Sequence, residues 1–130
     1  MKFERPLIVL LMLSMAPFLT GGLSSAGAGE AEKLVKKGNQ NFEKGDYDEA
    51  IHYYDKASVE KPESPVIHFN RGGALFKSGD FDGAAEQFRK AAAKTRDLGL
   101  EARTWYNMGN CSFMEGRRQS DSDLEKALES

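Results

Sequence analysis

The sequence predicts an all-α fold, an α-solenoid of stacked antiparallel helix pairs with about two full repeats and a partial third. Three observations carry this. Residues 38–57, GNQNFEKGDYDEAIHYYDKA, return as residues 72–91, GGALFKSGDFDGAAEQFRKA. Gly38 matches Gly72, Phe42 matches Phe76, Gly45-Asp46 matches Gly79-Asp80, Ala50 matches Ala84, Tyr54 matches Phe88 and Ala57 matches Ala91, all at one offset of 34 residues. A third, altered copy opens at Trp105, where Gly109, Phe113 and Gly116 each lie 37 residues beyond their counterparts. A fixed period in this range marks units that cannot bury their apolar face alone and must stack on a neighbour.

The first helix is expected from Ala28 to Lys44, because Leu34, Val35, Gly38, Asn41 and Phe42 recur at helical spacing. Gly45 ends it, since a left-handed residue at a helix C-terminus costs least as glycine. Asp46 caps the next helix, with Glu49 completing a capping box. That helix buries Ala50, Ile51, Tyr54 and Ala57 and stops before Pro62. Ser64-Pro65 opens the third helix, a cap followed by proline at the first helical position. Gly79-Asp80 repeats the turn, and the fourth helix is expected from Phe81 to about Arg96. Leu98-Gly99 then supplies a break, and the fifth helix is expected from about Leu100 to Glu115. Seven residues, RRQSDSD, separate Gly116 from Leu124, six more than in the earlier copies. They read as a loop insertion over residues 117–123. A sixth helix is expected to begin near Ser122 or Asp123, where DLEKAL echoes DYDEAI. The units are therefore residues 29–64, 65–98 and 99–130, the last incomplete. With no polar capping element after it, the chain is expected to be a fragment of a longer protein.

The N-terminus has a different character. Lys2 and Arg5 precede an apolar run over residues 7–19, broken only by Ser14 and Pro17, and small residues follow up to Ala26-Gly27-Ala28. This is the three-part pattern of a secretory signal peptide covering residues 1–28, cleaved after Ala28 or Ala26. The run is shorter than the roughly 20 residues of a spanning helix. An uncleaved membrane anchor is the alternative. Export is expected, to the bacterial periplasm if the source is Gram-negative.

Small residues at Gly38, Ala50, Ala57, Gly72, Ala84 and Ala91 allow helices joined by short turns to lie close. The same stretches resemble the tetratricopeptide repeat, whose 34-residue pattern is W-x2-L-G-x2-Y, then A-x3-F, then P. Leu34, Gly38, Ala50, Tyr54 and Pro62 carry the resemblance in the first copy; Gly72, Leu75, Ala84 and Phe88 in the second; Trp105, Met108 and Gly109 in the third. His68 and Lys37 depart from the pattern. The export pattern, the run TWYNMGNCSFMEG and the inserted RRQSDSDLEKALES also resemble a subgroup of bacterial tetratricopeptide proteins encoded in aerotolerance (Bat-type) operons. That resemblance implies a periplasmic scaffold working with membrane-anchored von Willebrand factor A-domain partners.

Composition excludes several function classes. Net charge is −2, so no basic field points to nucleic acid. One cysteine, Cys111, allows neither an internal disulfide nor a cysteine-built zinc site. His52 and His68 share no carboxylate at ligand spacing, and both read as surface or packing residues. Asp46, Asp48, Asp80 and Asp82 stand at helix starts, where they favour the helix dipole. No metal site, cofactor or enzymatic activity is expected. The candidate site is the groove that the first helix of each pair lines in tetratricopeptide superhelices. By that resemblance it comprises Val35, Asn39, Phe42, Phe69, Asn70, Gly73, Phe76, Lys77, Arg103, Tyr106, Asn107, Asn110 and Phe113, with Phe42, Phe76 and Phe113 as a ladder of rings. Asn39, Asn70 and Arg103 resemble part of a clamp that grips peptide carboxylates, with Val35 where that clamp has lysine. The expected function is a non-enzymatic scaffold in the bacterial cell envelope that binds a protein segment along the groove. The alternatives are a structural module that self-associates through exposed repeat ends and an accessory subunit of an envelope assembly machine.

Overall fold

The computed structural model describes residues 25–129, which form five helices and no strand: α1 (Ser25–Glu43), α2 (Tyr47–Glu60), α3 (Pro65–Ser78), α4 (Phe81–Lys94) and α5 (Leu98–Leu128). Each packs on the next, so the described part is a stack of antiparallel pairs, as the repeat requires. The export pattern lies outside the described residues, except that residues 25–28 form the first turn of α1. Among the described residues no helix is long and apolar enough to cross a membrane.

The two Gly-Asp turns form as their chemistry dictates. Gly45 and Gly79 adopt φ of 81° and 90°, the left-handed region that glycine enters at least cost. The amide of Asp46 donates to the Asn41 carbonyl at 2.9 Å, and that of Asp80 to the Leu75 carbonyl at 3.0 Å. The carboxylates of Asp46 and Asp80 then accept from the amides of Glu49 and Gly83 and start α2 and α4. The Asp46 amide is thus satisfied by Asn41 rather than by Glu49, so only half of the expected capping box exists. Ser64 caps α3 with Pro65 in its first turn.

The core consists of two clusters. Ala50, Tyr54 and Ala74 form one, with Val35, Phe42 and Ile51 packed against it. Ala84, Phe88 and Cys111 form the other, with Phe69, Phe76, Phe81 and Met108 around it. A Cβ placed on Gly38 would stand 2.5 Å from the Tyr54 ring, and one on Gly72 would stand 2.8 Å from the Phe88 ring. The ring of the second helix therefore lies directly on the glycine of the first. Tyr54 and Phe88 thus fill the crossing itself rather than the space beyond it. His68 is buried. Its Nε2 donates to the Pro62 carbonyl, and its Nδ1 lies 2.9 Å from Gln87 Oε1. It ties α3 to the preceding linker and to α4. His52 is exposed and stands edge-on to Tyr53. Cys111 is buried, and loss of solvation pushes its thiol up, as a packing residue requires.

The largest departure is in the third unit. The fourth helix ends at Lys94, and α5 starts at Leu98 because Asp97 caps it, accepting from the amides of Gly99 at 2.8 Å and Leu100 at 3.1 Å. Leu98-Gly99 is a first turn, not a break. The expected loop over residues 117–123 and the sixth helix do not occur; α5 runs without interruption through both. The physical reason is local. Gly116 does not take a positive φ, no proline follows it, and side-chain pairs bridge successive turns. Arg118 pairs with Glu115 at 2.6 Å, Gln119 with Asp123 at 2.9 Å and Lys126 with Asp123 at 3.9 Å.

Candidate functional site: a furrow across α1, α3 and α5

The odd-numbered helices present a shallow furrow made of two adjoining depressions. The first is bounded by Asn39, Phe42, Glu43, Tyr54, Phe69, Asn70 and Gly73, and the second by Phe42, Gly73, Phe76, Lys77, Phe88 and Asn107. Phe42 and Gly73 belong to both, so the two join. Their volumes, about 250 and 200 Å³, fall below the range of a pocket that encloses a small molecule. They suit the side chains of a segment lying across the surface. A Cβ on Gly73 would come within 3.9 Å of Phe42, so the bare backbone forms the floor between the depressions.

The polar part of the furrow is organised around Tyr54. Its ring is buried in the core, and its hydroxyl donates to Asn39 Oδ1 at 2.7 Å. Asn70 Nδ2 donates to the same oxygen at 3.3 Å. Two donors on one oxygen fix the Asn39 amide, and its NH2 group remains a donor toward a ligand. Burial, and then the charge of Glu43, push the Tyr54 hydroxyl up to about 12. It therefore stays protonated, as its donor role needs. At the α5 side the Arg103 guanidinium lies 5.4 Å from the centre of the Phe69 ring, and its Nε donates to the Gly99 carbonyl at 3.3 Å.

Of the residues expected in the groove, Asn39, Phe42, Phe69 and Asn70 meet in the first depression. Phe76, Lys77 and Asn107 meet in the second, and Arg103 covers Phe69. Four stand elsewhere. Val35 packs on the Ala50–Tyr54 cluster and lines a different depression with Lys61 and Ile67. Tyr106 and Phe113 are 71% and 64% exposed and border neither depression, so the expected three-ring ladder has two rungs. Asn110 is half-buried and also lies outside both. Sequence reasoning missed Tyr54 and Glu43 as groove residues. The signal for Tyr54 was its hydroxyl: the matching position holds Phe88, and a buried phenol needs a partner.

A family model described as Tetratricopeptide repeat matches residues 35–99. Mouse RNA polymerase II-associated protein 3 is 33% identical over 97 residues, 74% of this chain and 14% of that protein. Stress-induced-phosphoprotein 1 of Caenorhabditis elegans is 38% identical over 47 residues, 36% of this chain and 15% of that protein. The chain thus spans about one seventh of the length of these relatives. Among solved structures, the first TPR of Spaghetti (RPAP3) bound to the HSP90 peptide SRMEEVD is similar at 31% identity, with a TM-score of 0.61 over 78% of this chain and 80% of that one.

Proposed function

Because the chain belongs to the tetratricopeptide repeat family, we propose that it is a non-enzymatic interaction scaffold that holds an extended peptide segment along the α1–α3–α5 furrow. The observation that carries this is the fixed amide pair Asn39–Asn70, set between the rings of Phe42 and Phe69. Amides flanked by rings match what an extended peptide presents: main-chain donors and acceptors with side chains to either side. Lys77 lines the second depression and Arg103 stands over Phe69 beside the first, so against the one anion, Glu43, the furrow keeps a net positive charge, which favours an acidic segment. The similar structure that holds SRMEEVD supports the same choice. Val35, packed into the core, adds no cation, so the clamp that the sequence suggested is incomplete here.

The test is fluorescence anisotropy with labelled SRMEEVD and its C-terminally amidated form. The parent chain binds the free acid. Asn70→Ala weakens it about tenfold, the loss expected for a hydrogen bond at a site of this kind. Thermal stability changes by no more than about 0.5 kcal/mol, as for a surface change. Affinity unchanged in both Asn70→Ala and Arg103→Ala would remove the furrow as the binding site. Failure of both peptides to bind would reject the acidic segment.

The setting is the bacterial cell envelope, reached by export. Support comes from Lys2, Arg5, the apolar run over residues 7–19 and the small residues before Gly29. N-terminal sequencing of the protein from an envelope fraction reads Gly29 or Gly27 as the first residue. An intact Met1 in the membrane fraction would instead identify an uncleaved anchor, and an intact Met1 in the cytosol would reject export. A membrane-anchored von Willebrand factor A-domain partner rests on the operon-group resemblance alone, and the helical state of residues 117–123 removes the loop on which that resemblance leaned.

A further inference from the structure

The polar groups of the furrow bear on which part of a partner chain it takes. A free C-terminus ends in a carboxylate, which carries a full negative charge and only accepts hydrogen bonds. A site built for it offers donors alone, cations among them. An internal stretch of main chain carries both N–H donors and C=O acceptors, so a site built for it offers both kinds of group.

The Asn39–Asn70 pair offers both. The Tyr54 hydroxyl and Asn70 Nδ2 donate to Asn39 Oδ1 at 2.7 and 3.3 Å, which leaves the Asn39 NH2 group to donate outside the pair. Asn70 uses one N–H in that contact, and its Oδ1 accepts no hydrogen bond among the described residues. A donor on Asn39 and an acceptor on Asn70 are the complement of a peptide C=O and N–H. A carboxylate would leave the Asn70 acceptor facing another acceptor.

The charges around the pair point the same way. Val35, where a carboxylate clamp has lysine, packs on the Ala50–Tyr54 cluster and lines a separate depression. Arg103 lies over the Phe69 ring, with its Nε held by the Gly99 carbonyl, and does not bound the first depression. The charged residue that does is Glu43, an anion with no ion pair among the described residues. A terminal carboxylate on the amide pair would therefore meet a like charge. Lys77 bounds the second depression, where an acidic side chain farther along a segment can reach it.

Building on the reading of the furrow as a peptide site, we propose that it takes an internal stretch of a partner chain rather than a C-terminus. A main-chain amide sits on Asn39 and Asn70, an acidic side chain sits on Lys77, and Glu43 turns a free carboxylate away. Relative to a carboxylate clamp, the furrow keeps the asparagines and reads main chain with them.

Fluorescence anisotropy of the 130-residue chain with three N-terminally labelled peptides tests this. They are SRMEEVD as the free acid, its C-terminal amide, and SRMEEVD followed by Gly-Ser-Gly-Ser. The three bind with affinities within about twofold of one another. Glu43→Gln, an exposed position, strengthens the free acid about fivefold and leaves the other two unchanged. In a scan of single N-methylated amides along the longest peptide, one methyl group weakens binding to the parent about tenfold and leaves binding to Asn70→Ala unchanged. A free acid that binds about tenfold tighter than the other two overturns the proposal, while the furrow still holds a peptide. A scan with no sensitive amide also overturns it, as does a Glu43→Gln variant that treats all three peptides as the parent does. Absence of binding by all three removes the peptide reading itself, and this inference with it.

Discussion

Gly72 and Gly109 hold equivalent sequence positions in adjoining units, yet their surroundings are opposite. A methyl group on Gly72 would press into the Phe88 ring at 2.8 Å, whereas one on Gly109 meets open space. Gly72→Ala is expected to cost about 1–3 kcal/mol through overpacking, and Gly109→Ala to gain about 0.5–1 kcal/mol through reduced backbone freedom. Thermal melts of the two variants check the contrast. Equal shifts in the same direction would remove the close-crossing argument. The legible part was that glycine recurs. What each glycine faces depends on the helix lying across it, and no single residue carries that information.

Tyr54 yields a pH prediction. Its folded hydroxyl ionises near 12 against an ordinary 10. Between these values the unfolded chain loses the proton first, so stability falls as pH rises. The contribution is complete below pH 10 and disappears progressively from 10 to 12. Tyr54→Phe removes this component, at a cost of about 0.5–1.5 kcal/mol at neutral pH for the hydrogen bond to Asn39. Melting temperatures from pH 9 to 12 are expected to fall more steeply for the parent than for the variant. Parallel curves would show that the buried phenol is not the titrating group.

At the scale of elements, the boundaries that carry explicit chemistry were legible. Gly45 and Gly79 turn, Asp46 and Asp80 cap, and Ser64-Pro65 opens α3, each where the sequence placed it. The start of α5 was misread because Asp97 was not recognised as its cap. Asp97 holds two amides of the first turn, and Asp97→Ala is expected to destabilise the chain by about 1 kcal/mol. Denaturant unfolding followed by circular dichroism measures this; no loss would mean that water replaces the carboxylate at no cost. The end of α5 was misread for a different reason. An insertion relative to earlier copies looks like a loop only if the turn is assumed to persist. RRQSDSD has good helical side-chain pairs and no residue that forces the chain out of the helix.

At the scale of the whole molecule the chain behaves as a one-dimensional stack, in which stability comes from each unit and its contacts with neighbours. α3 and α4 are covered on both sides, α4 by the Phe88–Cys111 cluster and α3 by both clusters. An ion pair between Arg71 and Asp55 further joins α3 to α2. Hydrogen exchange by mass spectrometry is expected to be slowest in α3 and α4 and faster in the first turns of α1. Uniform protection from α1 to α4 would show that the chain opens as one block instead.

The sequence by itself determined the helical pairs, their period, their two left-handed glycine turns and the family. Those follow from local chemistry repeated at one offset, and repetition makes a weak signal strong. It also supplied eight of the residues that bound the furrow and the arginine beside them. Only the tertiary structure decided that Val35 belongs to the core, that the Phe113 ring stands apart from the furrow and that Tyr54 organises the amides. Those outcomes depend on which helix lies across each residue, and no single position of the repeat encodes that.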